Sequence, residues 1–215
     1  MRSSLAWMLV LWLGVQVDGT LLAQPALEEF SCASFPADLS ETSLINRYGT
    51  GNVKRAPVVG SDDGPQDGTV VFDNSPRKLE IVWWDRDGGT KLAWITSREA
   101  DSPWKTPYGI FLGMDLLAIE RLNGWPFRLR GLDGPEGLGV IRSWGQGHVR
   151  DAGTDGCKLG ISLQPAGDRP IDAALYRQVG TGSDFSSGHP AMQSINPRVT
   201  SLTVVHDWRR GGSVP

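Results

Sequence analysis

One order of elements is written twice along this chain, and any fold must accommodate both copies. A short amphipathic segment ending in Gly leads to an Asp-Gly-Pro turn, then a strand, then a Lys-Leu-x-Ile strand. In the first copy these are segment 44–49, Asp63-Gly64-Pro65, Val70-Val71-Phe72 and Lys78-Leu79-Glu80-Ile81. In the second they are segment 117–124, Asp133-Gly134-Pro135, Val140-Ile141 and Lys158-Leu159-Gly160-Ile161. Matching order with drifting spacing points to an old duplication with insertions in its loops. Helices are short, strands are many, and the two do not alternate as a parallel sheet requires. The pattern predicts an α+β fold with antiparallel strands, in two tandem related units sharing one core.

The N-terminus reads as a signal peptide over residues 1–23. Arg2 is its positive charge, the run from Leu5 to Val17 is its apolar core, and Leu21-Leu22-Ala23 offers a cleavage site. That run is shorter than the roughly 20 residues a membrane-spanning helix needs. Cys32 lies well past it, following Glu29-Phe30-Ser31, so a lipid anchor on that cysteine is the weaker reading. The remainder is expected to be periplasmic or secreted, with no membrane insertion after cleavage. A formal net charge of −3 carries no electrostatic footprint for nucleic acid.

Local patterning divides the rest. Residues 24–96 hold an extended arm and the first unit, 97–108 a connection, 109–208 the second unit with a closing strand, and 209–215 a fraying tail. Asp38 is spaced from Glu41 as a capping box, predicting a helix over 39–48 that stops at Gly49. The β-rich runs 79–84 and 91–95, joined by Asp85-Arg86-Asp87-Gly88-Gly89, predict a hairpin. A second helix is expected over 115–122, ended by Gly124, with strands near 127–130, 138–144 and 157–163 after it. Residues 165–188 read as loop with one helical turn at 171–176, and 198–208 as the last strand.

The chain has two cysteines, Cys32 and Cys157. In an exported protein an even pair most often forms a disulfide, and a loop this long gains roughly 4 to 5 kcal/mol in the chain-entropy account. Free or redox-active thiols are the alternative, which no neighbouring Cys or activating His supports.

Motifs for chemistry are sparse. His148, His189 and His206 are not spaced as metal ligands, and no cofactor or metal is expected. Ser143 and Ser186-Ser187 lack the strand–elbow–helix setting of a hydrolase nucleophile. Asp85-x-Asp87-Gly88 resembles part of a calcium loop but lacks the terminal acid, and turn formation explains it. A hydrolase would need His148 or His189 to meet a carboxylate or Ser in a cleft.

The tryptophans are more suggestive. Trp83 and Trp84 are consecutive in a strand, so their side chains point to opposite faces. With Trp94, Trp104 and Trp125 they form the candidate binding set, either on a surface that docks a protein or as a stacking platform for a small ligand or glycan. Trp104 is alternatively a plug over the core.

The segment 109–127, with Gly113-Met114 before a helix and Leu122-Asn123-Gly124-Trp125-Pro126-Phe127 after it, resembles a unit of two families. One is the small lipoprotein of the outer-membrane β-barrel assembly machinery, the other the secreted β-lactamase inhibitor proteins built from tandem helix-plus-sheet units. The chain with its ending, Phe185-Ser186-Ser187 through Asn196-Pro197, is also similar to a group of exported bacterial proteins. The first resemblance implies protein binding rather than catalysis, without the lipoprotein's membrane tether because the lipobox is missing. The second implies an extracytoplasmic setting, and the partner is expected to be an envelope protein.

Overall fold

The computed structural model describes residues 28–59, 64–85, 87–132, 139–150, 156–167, 171–180 and 183–207. The expected signal peptide, Asp63, the second Asp-Gly-Pro turn, Trp208 and the tail lie outside the described residues. The class is α+β, with short helices and mostly antiparallel sheets.

The arm enters as β1 (Glu28–Glu29) and leads to α1 (Glu41–Tyr48). The cap of α1 is Ser40 rather than Asp38. Ser43 N donates to Ser40 Oγ at 3.1 Å, and Ser40 N donates to Ser43 Oγ at 2.9 Å, so the box closes two residues later than the spacing of Asp38 suggests. The reason is tertiary: Glu41 is drawn to the sheet, where Thr69 Oγ1 donates to its carboxylate at 2.7 Å and Arg55 pairs with it. Gly49 ends the helix with a φ of 86°, a backbone that glycine adopts without strain.

Four strands follow as an antiparallel meander: β2 (Val53–Val59), β3 (Pro65–Val71), β4 (Leu79–Asp85) and β5 (Thr90–Ser97). The β4–β5 turn is the expected hairpin. Asp85 ties it, accepting from Gly88 N at 3.0 Å and from Thr90 Oγ1 at 3.0 Å. Both carboxylate oxygens thus serve the turn. β6 (Trp104–Lys105) then pairs in parallel with β1.

The second half begins with α2 (Leu116–Asn123), capped by Asp115, whose carboxylate accepts from Ala118 N at 2.8 Å. Next come β7 (Arg128–Arg130), β8 (Ile141–Ser143) and β9 (Cys157–Gln164). The stretch expected to be mostly loop holds α3 (Ala173–Gln178) and β10 (Asp184–Ser186), and α4 (Pro190–Ile195) precedes the last strand, β11 (Arg198–His206). The four strands β2 to β5 that follow α1 stay in one sheet, whereas those after α2 divide. β7, β8 and β10 make a three-stranded sheet in the order β10-β7-β8, and β9 and β11 extend the meander to six strands, β2-β3-β4-β5-β11-β9.

The core lies on one face of the six-stranded sheet. Leu79, Ile81, Trp83, Ile95, Leu202 and Val204 face inward. Against them pack Phe30 and Phe35 of the arm, Leu44 of α1, Leu116 and Ile119 of α2, Leu129 of the small sheet and Met192 of α4. The disulfide Cys32–Cys157 joins arm to β9 with Cα atoms 6.2 Å apart, across 125 residues of sequence. Among the described residues no helix is long and apolar enough to cross a membrane.

A smaller cluster sits on the opposite face, where Val58, Val70, Val82 and Ala93 are buried together. It depends on Gly68 in β3. A Cβ there would meet Ile81 O at 2.4 Å and Val58 Cγ2 at 2.5 Å, so the glycine is what lets Val58 come down onto the sheet.

Candidate binding surface

The five tryptophans separate into three places. Trp83 is 2% exposed and points into the core, where its Nε1 donates to Thr69 Oγ1 at 2.8 Å. Thr69 passes the chain of hydrogen bonds to Glu41, so the buried indole keeps a polar partner. Trp104 is 1% exposed, donates from Nε1 to Arg77 O at 3.1 Å, and packs against Phe30 and Phe35 with ring centroids 6.1 and 5.7 Å away. These two belong to the core and offer nothing to a partner. That corrects their place in the candidate set: an indole N–H with an internal acceptor can be buried at little cost.

Trp84 and Trp94 lie on the outer face. Trp84 is 45% exposed and its Nε1 donates to the carbonyl of His206 at 3.2 Å. β5 lies between β4 and β11, so that indole reaches across β5 on the outside of the sheet. Trp94 is half-buried, with Val82 and Val205 as its register neighbours on the flanking strands. Val205 is 38% exposed. Trp84, Trp94 and Val205 therefore form one apolar stripe over Val82 and Ala93.

Polar groups border the stripe. The next row across the strands is Glu80, Thr96 and Thr203, and the two threonine hydroxyls are 3.1 Å apart. Glu80 is paired with Lys78 at 3.1 Å and with Arg98 at 2.6 Å. Lys158, exposed on β9, stands beside Val205 at the far end. An apolar centre with a charged rim is the usual anatomy of a protein–protein interface.

No family model, curated protein or solved structure matches this chain.

Trp125 stands apart on the loop after α2, at 53% exposure. The loop is shaped from below by Asn123, which is fully buried. Its Nδ2 donates to Trp125 O at 2.7 Å and to Trp144 O at 3.0 Å, while its Oδ1 accepts from Val149 N at 3.1 Å. Gly124 holds a φ of 71° against the imidazole of His148, and a Cβ there would lie 2.7 Å from His148 Nδ1.

The groups weighed for catalysis are engaged structurally. Ser187 is fully buried; its hydroxyl donates to Glu120 and accepts from Phe127 N at 2.9 Å. No histidine takes part in that cluster. His189 caps α4 by accepting from Ala191 N at 3.2 Å, and His206 meets Phe35 O at 2.8 Å. The Gly88 N–H, followed by the Thr90 hydroxyl, holds the Asp85 carboxyl below its ordinary pKa. Burial, the largest influence on it, raises the Tyr48 phenol. Among the described residues no group of three or more His, Cys, Asp or Glu could hold a metal ion.

The sequence reading missed Val205 and Asn123. Alternation in β11 carried a signal for the first, since Leu202 and Val204 face inward and leave Val205 outward. The Leu-Asn-Gly run at 122–124 marked a helix end, but nothing local says that its Asn is buried.

Proposed function

We propose that this chain is an exported, non-catalytic binding protein that docks a protein of the bacterial envelope against the outer face of its six-stranded sheet. The observation that carries the reading is the stripe of Trp84, Trp94 and Val205. It remains open on a sheet whose inner face is fully covered. Exposed aromatic residues surrounded by polar ones are the usual anchors of protein interfaces. The long-range disulfide supports an oxidising compartment. The apolar N-terminal run and the resemblance of segment 109–127 to envelope and secreted binding proteins point the same way.

The test is covalent cross-linking in intact cells with a tagged chain, followed by mass spectrometry. The unaltered chain should yield one dominant envelope protein, and Trp84→Ala combined with Val205→Glu should lose it while still melting cooperatively. Equal capture by that folded variant would overturn the assignment to this face.

A further inference from the structure

The corner around Trp125 carries a second set of observations, independent of the sheet face. A rigid frame underlies it. Besides the three hydrogen bonds of Asn123, glycine is required sterically at two positions. A Cβ on Gly147 would lie 2.0 Å from Asn123 Oδ1, and one on Gly124 would strike His148. Gly145, with a φ of 62°, lies beneath the indole: a Cβ there would be 3.5 Å from Trp125 Cδ1. A large aromatic ring is thus held in water on a backbone with little freedom to retract it. A pre-positioned aromatic group lowers the ordering cost of binding.

The residues beside the ring's segment are small. Register places Arg128 between Ser143 on β8 and Ser186 on β10. Pro126 lies against Gly188, where an added Cβ would sit 3.7 Å from Pro126 Cγ. Gly145 beside the indole and Gly188 beside Pro126 add no side chain there, and Ser143 and Ser186 flank Arg128. The exposed cations of the segments that build this corner are Arg121, Arg128, Arg142 and Arg150. Within described segments 116–132, 139–150 and 183–196, Asp184 is the exposed acid, and Glu120 is turned inward to Ser187. Arg128 is steadied by donating to the Asp184 carbonyl at 2.9 Å.

We infer that this corner binds a sugar chain bearing carboxylate groups. The C–H face of a pyranose ring suits the electron-rich face of an indole. The planar guanidinium fork matches a carboxylate in a way that an ammonium cannot. Serine hydroxyls and a glycine floor complement hydroxyls without filling the space a ring needs. An acidic polypeptide would share the charge but not the flat stacking, so charge and ring recognition can be separated by experiment.

The experiment is affinity electrophoresis of the full chain through gels holding polygalacturonate, alginate or hyaluronate, with dextran and polyglutamate as controls. At least one uronate polymer should retard the unaltered chain, and neither control should match it. Trp125→Ala should weaken retention about tenfold or more. Arg128→Gln with Arg142→Gln should weaken it similarly and reduce its salt dependence. Trp84→Ala, on the sheet face, should be retarded like the unaltered chain, separating this site from the docking face. Retention by none of the three uronate polymers would overturn the inference, as would unaltered binding of Trp125→Ala. Equal retention by polyglutamate would assign the corner to charge alone and also overturn it.

Discussion

Asn123 uses both amide hydrogens and its oxygen on backbone groups of two different loops. An aspartate of the same shape accepts hydrogen bonds but donates none, and it would bring a buried charge. Asn123→Asp should therefore cost on the order of 3 kcal/mol, read as a lower urea midpoint. Gly68 is as constrained by its neighbours: an alanine Cβ would meet the Ile81 carbonyl, which is backbone and cannot turn aside. Gly68→Ala should destabilise by about 2 kcal/mol or more and expose the Val58–Val82 cluster to hydrogen exchange. Neither requirement was legible in the residues alone. Gly68 reads as one more turn glycine, and the acceptor that makes it necessary comes from the next strand.

The β4–β5 hairpin was legible because its signals are local, two β-rich runs and an Asp/Gly turn, whereas the register shift between Val82 and Trp83 was not. Its Asp85 makes a pH prediction. The Gly88 N–H and the Thr90 hydroxyl favour the charged carboxylate in the folded state, so its pKa is depressed. The stabilisation is present above the ordinary aspartate value near about 4 and is lost as pH falls through the lowered folded value. Asp85→Asn should accordingly flatten part of the acid limb below about pH 4 while changing stability less steeply with pH there, as unfolding at pH 7 and pH 3 would report. The cap of α1 was read two residues early. Asp38 and Ser40 are both suitable cap residues, and the choice between them follows from where Glu41 finds partners in the sheet. Ser40→Ala should cost about 1 kcal/mol, whereas Asp38→Ala should cost much less, by thermal melting. α4 went unread although its signals were present: Pro190 at the first turn and Asn196, with a φ of 47°, at the end. Its six residues are too few to show a periodic apolar face.

β11 determines how the whole molecule closes. It lies between β5 and β9, so strands from both halves of the chain share one sheet. The disulfide fastens the same junction from the arm, with Cys157 opposite His206 in register. Replacing both Cys32 and Cys157 by Ala should cost about 2 to 5 kcal/mol and lower Tm by roughly 5 to 15 °C. Reductant should lower the unaltered chain to a similar Tm and leave the double variant unchanged. Equal melting of both proteins under oxidising conditions would show that burial already holds the arm in place.

From the residues alone came the class, the hairpin, the two helices with their glycine stops and the opposite directions of Trp83 and Trp84. All of these follow from sterics and hydrogen bonds spanning a few neighbours. Which of the two tryptophans faces outward did not follow, since alternation sets parity and not side. That was decided when the arm, α1 and α2 covered one face of the sheet, so Trp83 was enclosed beside Thr69 and Trp84 was left over β5. The separation of Trp125 from the sheet face and the entry of β11 beside β5 have the same origin. They depend on contacts between residues far apart in the chain, which loop closure makes costly and only burial in a shared core repays.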